Sequence, residues 1–208
     1  DQRRLVRGLM FDLRSEDTSV RIVVRDKLQA LQEEIDVYGY LRGLYSELSP
    51  LLAPNVLWVL VHLDTARSIE LLEESAQSNY FETRAVALEL LGQLQSQNSE
   101  ALVARGLADH NQMVQINAAY ALARLGVRRS TPALIGLLAS PDLRVSGASR
   151  ESLAALWVDS LGEKRLGPVS EWEEFWNGQS AVGTPIRLED LEPLSPEDEE
   201  LTHTYDSN

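Results

Sequence analysis

YFETRAVALELLGQL (residues 80–94), NQMVQINAAYALARL (111–125) and DLRVSGASRESLAAL (142–156) align without gaps at a constant step of 31 residues. The leucine that ends each segment and the leucine three residues before it coincide in all three copies. Self-similarity at a fixed period of this length is the signature of a protein built from stacked structural repeats. These segments therefore decide the fold.

Two earlier segments carry apolar residues at the same offsets of 0, 4, 8 and 11 residues, one within residues 18–31 and one within residues 52–63. At about 100° per residue these offsets lie on one narrow stripe of a helix, as expected for a helix that faces a core. The sequence therefore predicts five core-facing helices, which we call B helices. Their first core residues are Val20, Leu52, Thr83, Val114 and Val145.

Shorter amphipathic segments predict an A helix before each of the later B helices, near residues 37–48, 66–76, 100–108 and 131–139, and a first helix over residues 1–14. No segment alternates apolar and polar residues with a period of two over a useful length, so strands are not expected. We predict an all-α fold, a right-handed α-solenoid of about five helix pairs. Each pair buries its apolar face against its neighbours.

Three motifs carry a family resemblance: DTSVR (residues 17–21), which opens a B helix after an acidic cap, and the Ala-rich runs INAAYALARLG (116–126) and SRESLAALW (149–157). They resemble the HEAT repeat, in its bacterial, phycobilisome-lyase-like variety. The resemblance covers residues 1–158 and implies helix pairs of the HEAT type.

In that family an Asp caps the B helix, and an Arg of one repeat bonds an Asp of the next. Arg21 and Arg84 keep the Arg here, whereas Gln115 and Ser146 replace it. An unbroken Asp–Arg ladder is therefore not expected, and leucine packing is expected to hold most of the stack.

Side-chain oxygens that can accept the free N–H groups of a B helix are expected at Asp17, Asn111 and Asp142, but not at Tyr80. Gly126 follows the last leucine of its helix and suits a C-cap, where a left-handed conformation is common.

A solenoid must cover its last apolar face, and residues 159–177 are predicted to do so. Ser170 and Glu173 fit a capping box that opens a short helix with Trp172, Phe175 and Trp176. The favoured interpretation is a C-terminal lid. The alternative is an aromatic docking site for a partner, formed by Trp172 and Trp176.

Residues 178–208 form an acidic tail, with eight acidic residues, one basic residue and three prolines. This composition favours an extended or disordered segment. The alternative is a strap that lies on a neighbouring protein. Its apolar anchors would be Ile186, Leu188, Leu191 and Leu194.

One further set of positions points away from the core stripe, six residues after each first core residue. These residues should form a ridge along the B-helix face, which in solenoids is the usual binding face. Trp58 and Tyr120 are of the types that anchor interfaces, although they could instead pack against a loop or a neighbouring helix. The candidate partner-binding residues on this face are Asp26, Trp58, Glu89, Tyr120, Arg124 and Glu151.

Composition excludes several function classes. The net charge of −13 argues against nucleic acid as the main partner, although residues 3–27 are locally basic. The absence of cysteine excludes disulfides and thiolate zinc sites, and no apolar run approaches the length of about 20 residues that spans a bilayer. His62, His110 and His203 lack a second ligand at metal-binding spacing, so neither a metal nor a cofactor is predicted.

The sequence therefore predicts a non-catalytic protein–protein interaction scaffold, or a subunit of a larger assembly. The alternatives are an enzyme subunit or chromophore-lyase-like protein, which the family resemblance alone implies, and, less favoured, a nucleic-acid-binding protein. The chain begins at Asp1 rather than Met, which favours trimming over a processed leader or anchor. The compartment is not decided, with a cytoplasmic one slightly favoured.

Overall fold

A computed structural model describes residues 2–162, 164–179 and 182–195, and within these ranges it confirms the all-helical prediction. The described residues form twelve α-helices and contain no strand. The helices are α1 (Gln2–Asp12), α2 (Thr18–Gln32), α3 (Val37–Leu44), α4 (Ala53–Leu63), α5 (Thr65–Ser75), α6 (Phe81–Gln93), α7 (Glu100–Arg105), α8 (Gln112–Leu125), α9 (Thr131–Leu137), α10 (Leu143–Leu156), α11 (Val158–Leu161) and α12 (Val169–Asn177).

Five short 3₁₀ turns extend or connect these helices. They are Tyr45–Glu47, Gln97–Ser99, Gly106–Ala108, Arg128–Ser130 and Leu188–Asp190. The even-numbered helices α2 to α10 are the five predicted B helices, and the odd-numbered helices α1 to α9 are the A helices of the same pairs. Each B helix packs against the next B helix and against the A helix of its own pair, which makes the chain an α-solenoid of five helix pairs.

The core follows the first three predicted columns with one exception, and at the fourth offset Leu31, Leu63 and Leu94 are only half-buried. The leucines at the third offset, Leu28, Leu60, Leu91, Leu122 and Leu153, are all fully buried. The first offset is buried in the four later B helices, but Val20 is 38% exposed. Among the described residues no B helix precedes α2 in the stack, and none of them covers that side of it. The prediction of Val20 as a core residue is therefore wrong.

The helix caps agree with the sequence. Asp17, Asn111 and Asp142 each accept a backbone N–H bond from the first turn of their B helix, whereas Tyr80 makes no capping bond. Gly126 has φ = 71°, the left-handed conformation of a C-cap, which glycine adopts without steric cost.

One buried ion pair links the third and fourth helix pairs. Arg84 on α6 donates through Nε and Nη2 to the two carboxylate oxygens of Asp109, at 3.0 and 2.8 Å, and both side chains are fully buried. Arg21, the equivalent residue on α2, instead donates to Ser15 O and Thr18 Oγ1. These two positions therefore differ, in agreement with the expectation of an interrupted ladder.

The C-terminal helix α12 forms the predicted lid. It packs against α9, and Trp172 is 1% exposed. Trp157 meets the rings of Phe175 and Trp176 edge to face, with centroids 5.2 and 6.3 Å apart. Such pairs add to the free energy gained by burying their area.

The predicted capping box is wrong. Pro168 is the N-cap in an extended conformation, so α12 begins at Val169 and Ser170 already lies inside the helix. Glu171 reaches back instead, and its Oε2 accepts the backbone N–H of Gly167 at 2.9 Å.

Residues 182–195, called the strap below, lie on the chain's own A helices, so this part of the tail fits the extended alternative of the prediction rather than the disordered one. Ile186 N donates to Arg129 O at 2.8 Å, and Ile186 O accepts from Ala133 N at 3.1 Å. Ala133 lies in the first turn of α9, where N–H groups have no partner within the helix. The strap therefore satisfies a backbone donor that would otherwise be left unpaired.

The second half of the strap crosses to the preceding A helix. The Arg105 guanidinium donates to Glu192 O and Pro193 O at 3.2 and 3.0 Å, and Leu194 is 6% exposed. Leu188 and Leu191 are half-buried against the same surface. The anchors of the strap therefore pack on the chain itself, and its binding to a neighbouring protein stays a prediction. Residues 196–208 of the predicted tail lie outside the described residues.

Candidate partner-binding surface

The predicted ridge residues lie on the five successive B helices, one on each. Trp58, Glu89 and Tyr120 are half-buried, whereas Asp26 and Glu151 are exposed. The structure joins them into an N-terminal group around Trp58 and a C-terminal pair formed by Tyr120 and Glu151.

The indole of Trp58 is held by cationic and aromatic neighbours. The guanidinium carbon of Arg25 lies 5.2 Å from the centroid of the indole ring, within the range of a cation–π contact. Arg25 also donates to Asp26 Oδ1 from Nε and Nη2, at 2.9 and 2.6 Å. The His62 ring lies 4.5 Å from the Trp58 ring, centroid to centroid. These contacts restrict the orientation of the indole before any partner arrives.

Trp58 borders a cleft of about 250 Å³ on the B-helix face, between α4 and α6 with α2 at one side. The cleft is absent from the sequence prediction, which placed a continuous ridge here. Its lining residues are Thr18, Arg21, Pro54, Asn55, Trp58, Val86, Glu89, Leu90 and Gln93.

Residue size explains why the cleft opens here. Between α6 and α8 the facing residues are Gly92 and Ala121, and a Cβ at Gly92 would lie only 2.6 Å from the Cα of Ala121. One repeat earlier the equivalent positions hold Val61 and Leu90, both buried. Two bulky residues keep the axes of α4 and α6 farther apart than a glycine and an alanine keep those of α6 and α8.

The cleft combines an apolar wall with a limited set of polar groups. Pro54, Trp58 and Val86 supply apolar surface. Gln93 Nε2 donates to Glu89 Oε1 at 2.9 Å, which leaves Glu89 Oε2 as an acceptor. The site is therefore suited to an apolar side chain that has a hydrogen-bond donor or a positive charge next to it.

The two side chains of the C-terminal pair, Tyr120 and Glu151, bond to each other. Tyr120 Oη donates to Glu151 Oε2 at 2.7 Å. This hydrogen bond, followed by burial, raises the pKa of the Tyr120 phenol. Arg124 is exposed one turn further along α8. This part of the ridge thus presents a neutral phenol and a carboxylate that are already bonded to each other.

The remaining candidates do not join the ridge. Trp172 is buried in the lid, so its prediction as a partner contact is corrected, whereas Trp176 is half-buried against Trp157. Leu188 and Leu191 lie on the strap, against the A helices rather than the B helices.

Sequence reasoning missed three polar side chains that position these surfaces. Asn55 Nδ2 donates to Leu13 O, and Asn117 Nδ2 donates to Ala85 O, each at 2.9 Å. Both asparagines lie three residues after the first core residue of their B helix, so their repeated offset was an available signal. Asp109, the partner of Arg84, precedes its B helix in the turn and had no equivalent signal.

Within the described ranges, no group of three His, Cys, Asp or Glu side chains is arranged to hold a metal ion. Over the same residues, no helix has both the length and the apolar character needed to cross a membrane.

Residues 77–154 match the family model for HEAT repeats. This match covers α6 to α8 and most of α10, where the sequence period is most regular, and it does not single out the phycobilisome-lyase-like variety. No curated protein sequence matches the chain significantly. HEAT repeats are typically protein-interaction scaffolds and are generally non-catalytic. Residues 77–154 are thus similar to HEAT repeats, and this similarity agrees with the all-helical solenoid described above.

Proposed function

We propose that this chain is a non-catalytic scaffold, a subunit of a larger assembly, which binds a protein partner through its B-helix face. The observation that carries the proposal is the cleft between α4 and α6, bordered by an indole that Arg25 and His62 hold in place. Aromatic residues at a preformed depression are the features that most often supply binding energy in protein interfaces.

The size of the cleft favours a protein rather than a small molecule. Its volume of about 250 Å³ is below the range of roughly 300–1,000 Å³ that is usual for ligand pockets. A volume of this size suits one or two side chains of a partner. Exposed B-helix residues on either side would then form the rim of a larger interface.

Charge specifies the anchor of the partner further. Asp26, Glu89 and Glu151 place three carboxylates along the ridge, and Glu89 keeps a free acceptor oxygen at the cleft. Arg25, the cation next to Trp58, is already bonded to Asp26. Arg21, the cation that lines the cleft, already donates to Ser15 O and Thr18 Oγ1. We therefore expect the partner to insert an aliphatic or aromatic side chain that is flanked by Lys or Arg, the arrangement that gives electrostatic complementarity.

The experiment is quantitative affinity capture from the native cell with three forms of the chain: wild type, Trp58→Ala combined with Glu89→Lys, and Leu143→Ala. Leu143 is an exposed apolar residue on another B helix, 84% accessible, and serves as the matched control. If the partner binds through the cleft, its recovered amount is expected to fall at least tenfold with the double variant and to stay unchanged with the control.

Circular dichroism must first show that all three forms melt alike. Equal recovery of every captured protein with the double variant and with wild type would overturn the proposal.

A further inference from the structure

The strap shows that the A-helix side of this solenoid can hold an extended acidic segment. The A-helix residues that hold the strap, called its seats below, lie at one repeated position. This position comes two residues after the fully buried column Leu41, Leu72, Val103 and Leu134. That outward-facing position is occupied by Gly43, Glu74, Arg105 and Gly136. The strap uses the last two of these.

The two seats work in different ways. At Gly136 the absence of a side chain makes room for Leu188, whose Cδ2 would lie 3.3 Å from a Cβ at that position. At Arg105 the guanidinium binds the backbone carbonyls of Glu192 and Pro193. Apolar contact and a cation together therefore fix the segment.

The N-terminal end of the same column offers the same two features, and none of the residues that the structure describes occupies it. Gly43 on α3 has no atom within 4 Å of the position that a Cβ would take. It borders a groove between α1 and α3, formed by two cavities of about 850 and 130 Å³ that share Leu44. Tyr40, Phe11 and Leu48 provide apolar surface along the groove, and Phe11 is 46% exposed.

Cations line the α1 side of the groove. Arg3, Arg7 and Arg14 all border it, and in the part of the chain that the structure describes none of them lies within ion-pair distance of a carboxylate. Of the acidic residues at the groove, Asp36 already binds Arg67 and the N–H of Gly39.

Glu47 is the other acidic residue that lines the groove. The local charge is therefore positive in a protein whose net charge is −13.

We propose that the groove between α1 and α3 is a docking site for an acidic, leucine-bearing segment of a partner protein, bound in an extended conformation as the strap is. Its leucine would lie over Gly43, as Leu188 lies over Gly136. Its carboxylates would pair with Arg7 and Arg14, which supply charge-assisted bonds. This surface is separate from the B-helix cleft and does not depend on the function proposed for it.

The dimensions agree with this occupant. From Arg3 to Arg14 the rise of about 1.5 Å per residue gives a groove roughly 16 Å long. An extended chain covers about 3.3 Å per residue, so roughly five residues fill it. A segment of that length with two or three carboxylates matches the three arginines.

The direct test is binding of a fluorescent peptide, IRLEDLEPL, to the full chain. The peptide has the sequence of residues 186–194, is acidic and carries leucines. The covalently attached strap fills its own seat at a high effective concentration, so the added peptide reports the groove. We expect binding that weakens with salt, and no binding of the charge-reversed peptide IRLKKLKPL.

Variants locate the site. Arg7→Glu combined with Arg14→Glu, and Gly43→Leu alone, should each weaken peptide binding at least tenfold. Gly8→Leu is the matched control, because Gly8 also has open space around it but lies beside the cavity on the opposite side of α1. Trp58→Ala should leave peptide binding unchanged, which separates this site from the B-helix cleft.

Three outcomes would overturn the proposal. The first is the absence of measurable peptide binding. The second is loss of binding with Gly136→Leu but not with Gly43→Leu, which would show that the peptide displaces the strap. The third is arginine-dependent binding of phosphatidylcholine vesicles that contain phosphatidylserine, without peptide binding, which would assign the groove to an anionic membrane surface.

Discussion

The B helices of the C-terminal half pack closely against each other, whereas those of the N-terminal half leave grooves between them; they are called the closed and the open half below. One cavity of about 580 Å³ remains at the closed end, between α10 and the lid. From α6 to α10 the B helices contact each other closely, Arg84 and Asp109 are sealed inside, and the lid and strap cover the end and one side. One groove lies between α1 and α3, the B-helix cleft lies between α4 and α6, and five large apolar residues of α1 and α2 are exposed.

The difference follows from residue size at the helix contacts and from what lies beyond each end. Gly92 brings α8 directly onto α6, and Trp157 receives the aromatic residues of α12. The first helix pair has no preceding pair and no lid among the described residues. Residues 77–154, which match the family model, coincide with the closed half. The part that matches the HEAT-repeat model is thus the closely packed part. The groove between α1 and α3 lies outside it, and the B-helix cleft lies at its edge, with Val86, Glu89, Leu90 and Gln93 inside residues 77–154.

The largest effect is expected from Arg84→Met in the closed half. It would leave the carboxylate of Asp109 buried without its cationic partner, which costs about 3–5 kcal/mol of unfolding free energy. Urea denaturation followed by circular dichroism measures this loss. The matched variant Arg42→Met removes an exposed pair with Glu74 and should cost about 0–1 kcal/mol. Equal losses for the two variants would contradict the view that the closed half holds the stability.

The next effect tests the close approach of α6 and α8. Gly92→Ala should destabilise the chain by about 1–3 kcal/mol, although alanine favours helices, because its Cβ would meet the Ala121 backbone. Gly147→Ala on α10 is the control, since a Cβ there meets no atom within 4 Å and should stabilise the helix by about 0.5–1 kcal/mol. Thermal denaturation of both variants shows whether each substitution raises or lowers the stability. A stabilising Gly92→Ala would show that the two helices have room between them.

The strap gives a smaller and more local effect. Leu194→Ala should lower the local stability of the strap by about 1–2 kcal/mol, because a buried leucine at the edge of the fold loses part of its apolar contact. Hydrogen exchange should then show faster exchange at Ile186 and Ala133, with global unfolding unchanged. Leu191→Ala, at a half-buried position, should have a weaker effect. Unchanged exchange in the Leu194 variant would mean that the two ends of the strap open independently.

The same contrast explains how much the sequence could predict. The leucine columns and caps repeat, so all five B helices and four A helices lie within a few residues of their predicted bounds. The prediction of Val20 as a core residue failed because a column of apolar residues does not show which of them has a neighbouring helix to cover it. The strap was predicted only as an alternative, because Pro185, Pro193 and its acidic residues are typical of disorder, while its attachment depends on Arg105 and Gly136 in distant helices.

The candidate site was predicted only as a row of residues. Offsets placed Trp58 and Glu89 on one face, but the cleft depends on the distance between helices, and therefore on the pair Val61 and Leu90. The ion-pair partners of the arginines could also not be predicted from the sequence, because an ion pair such as Arg84 with Asp109 depends on how a turn is packed. Periodicity thus predicts which residues face outward and does not predict where the surface opens.

The smallest effect concerns the closed end of the ridge, where Tyr120 and Glu151 are bonded to each other. Because Tyr120 donates to Glu151, the neutral phenol is favoured and its pKa lies above the ordinary value near 10. The contribution to stability is therefore present below pH 10 and is lost as the pH rises through the raised pKa. Glu151→Gln should lower the pKa of Tyr120 towards its ordinary value, and NMR titration of ring-labelled tyrosine measures it. Glu89→Gln, at the open end of the ridge, should leave the titration of Tyr120 unchanged. If it shifted Tyr120 as much as Glu151→Gln did, the ridge would behave as one electrostatic unit, and the division between a closed and an open half would not extend to its surface.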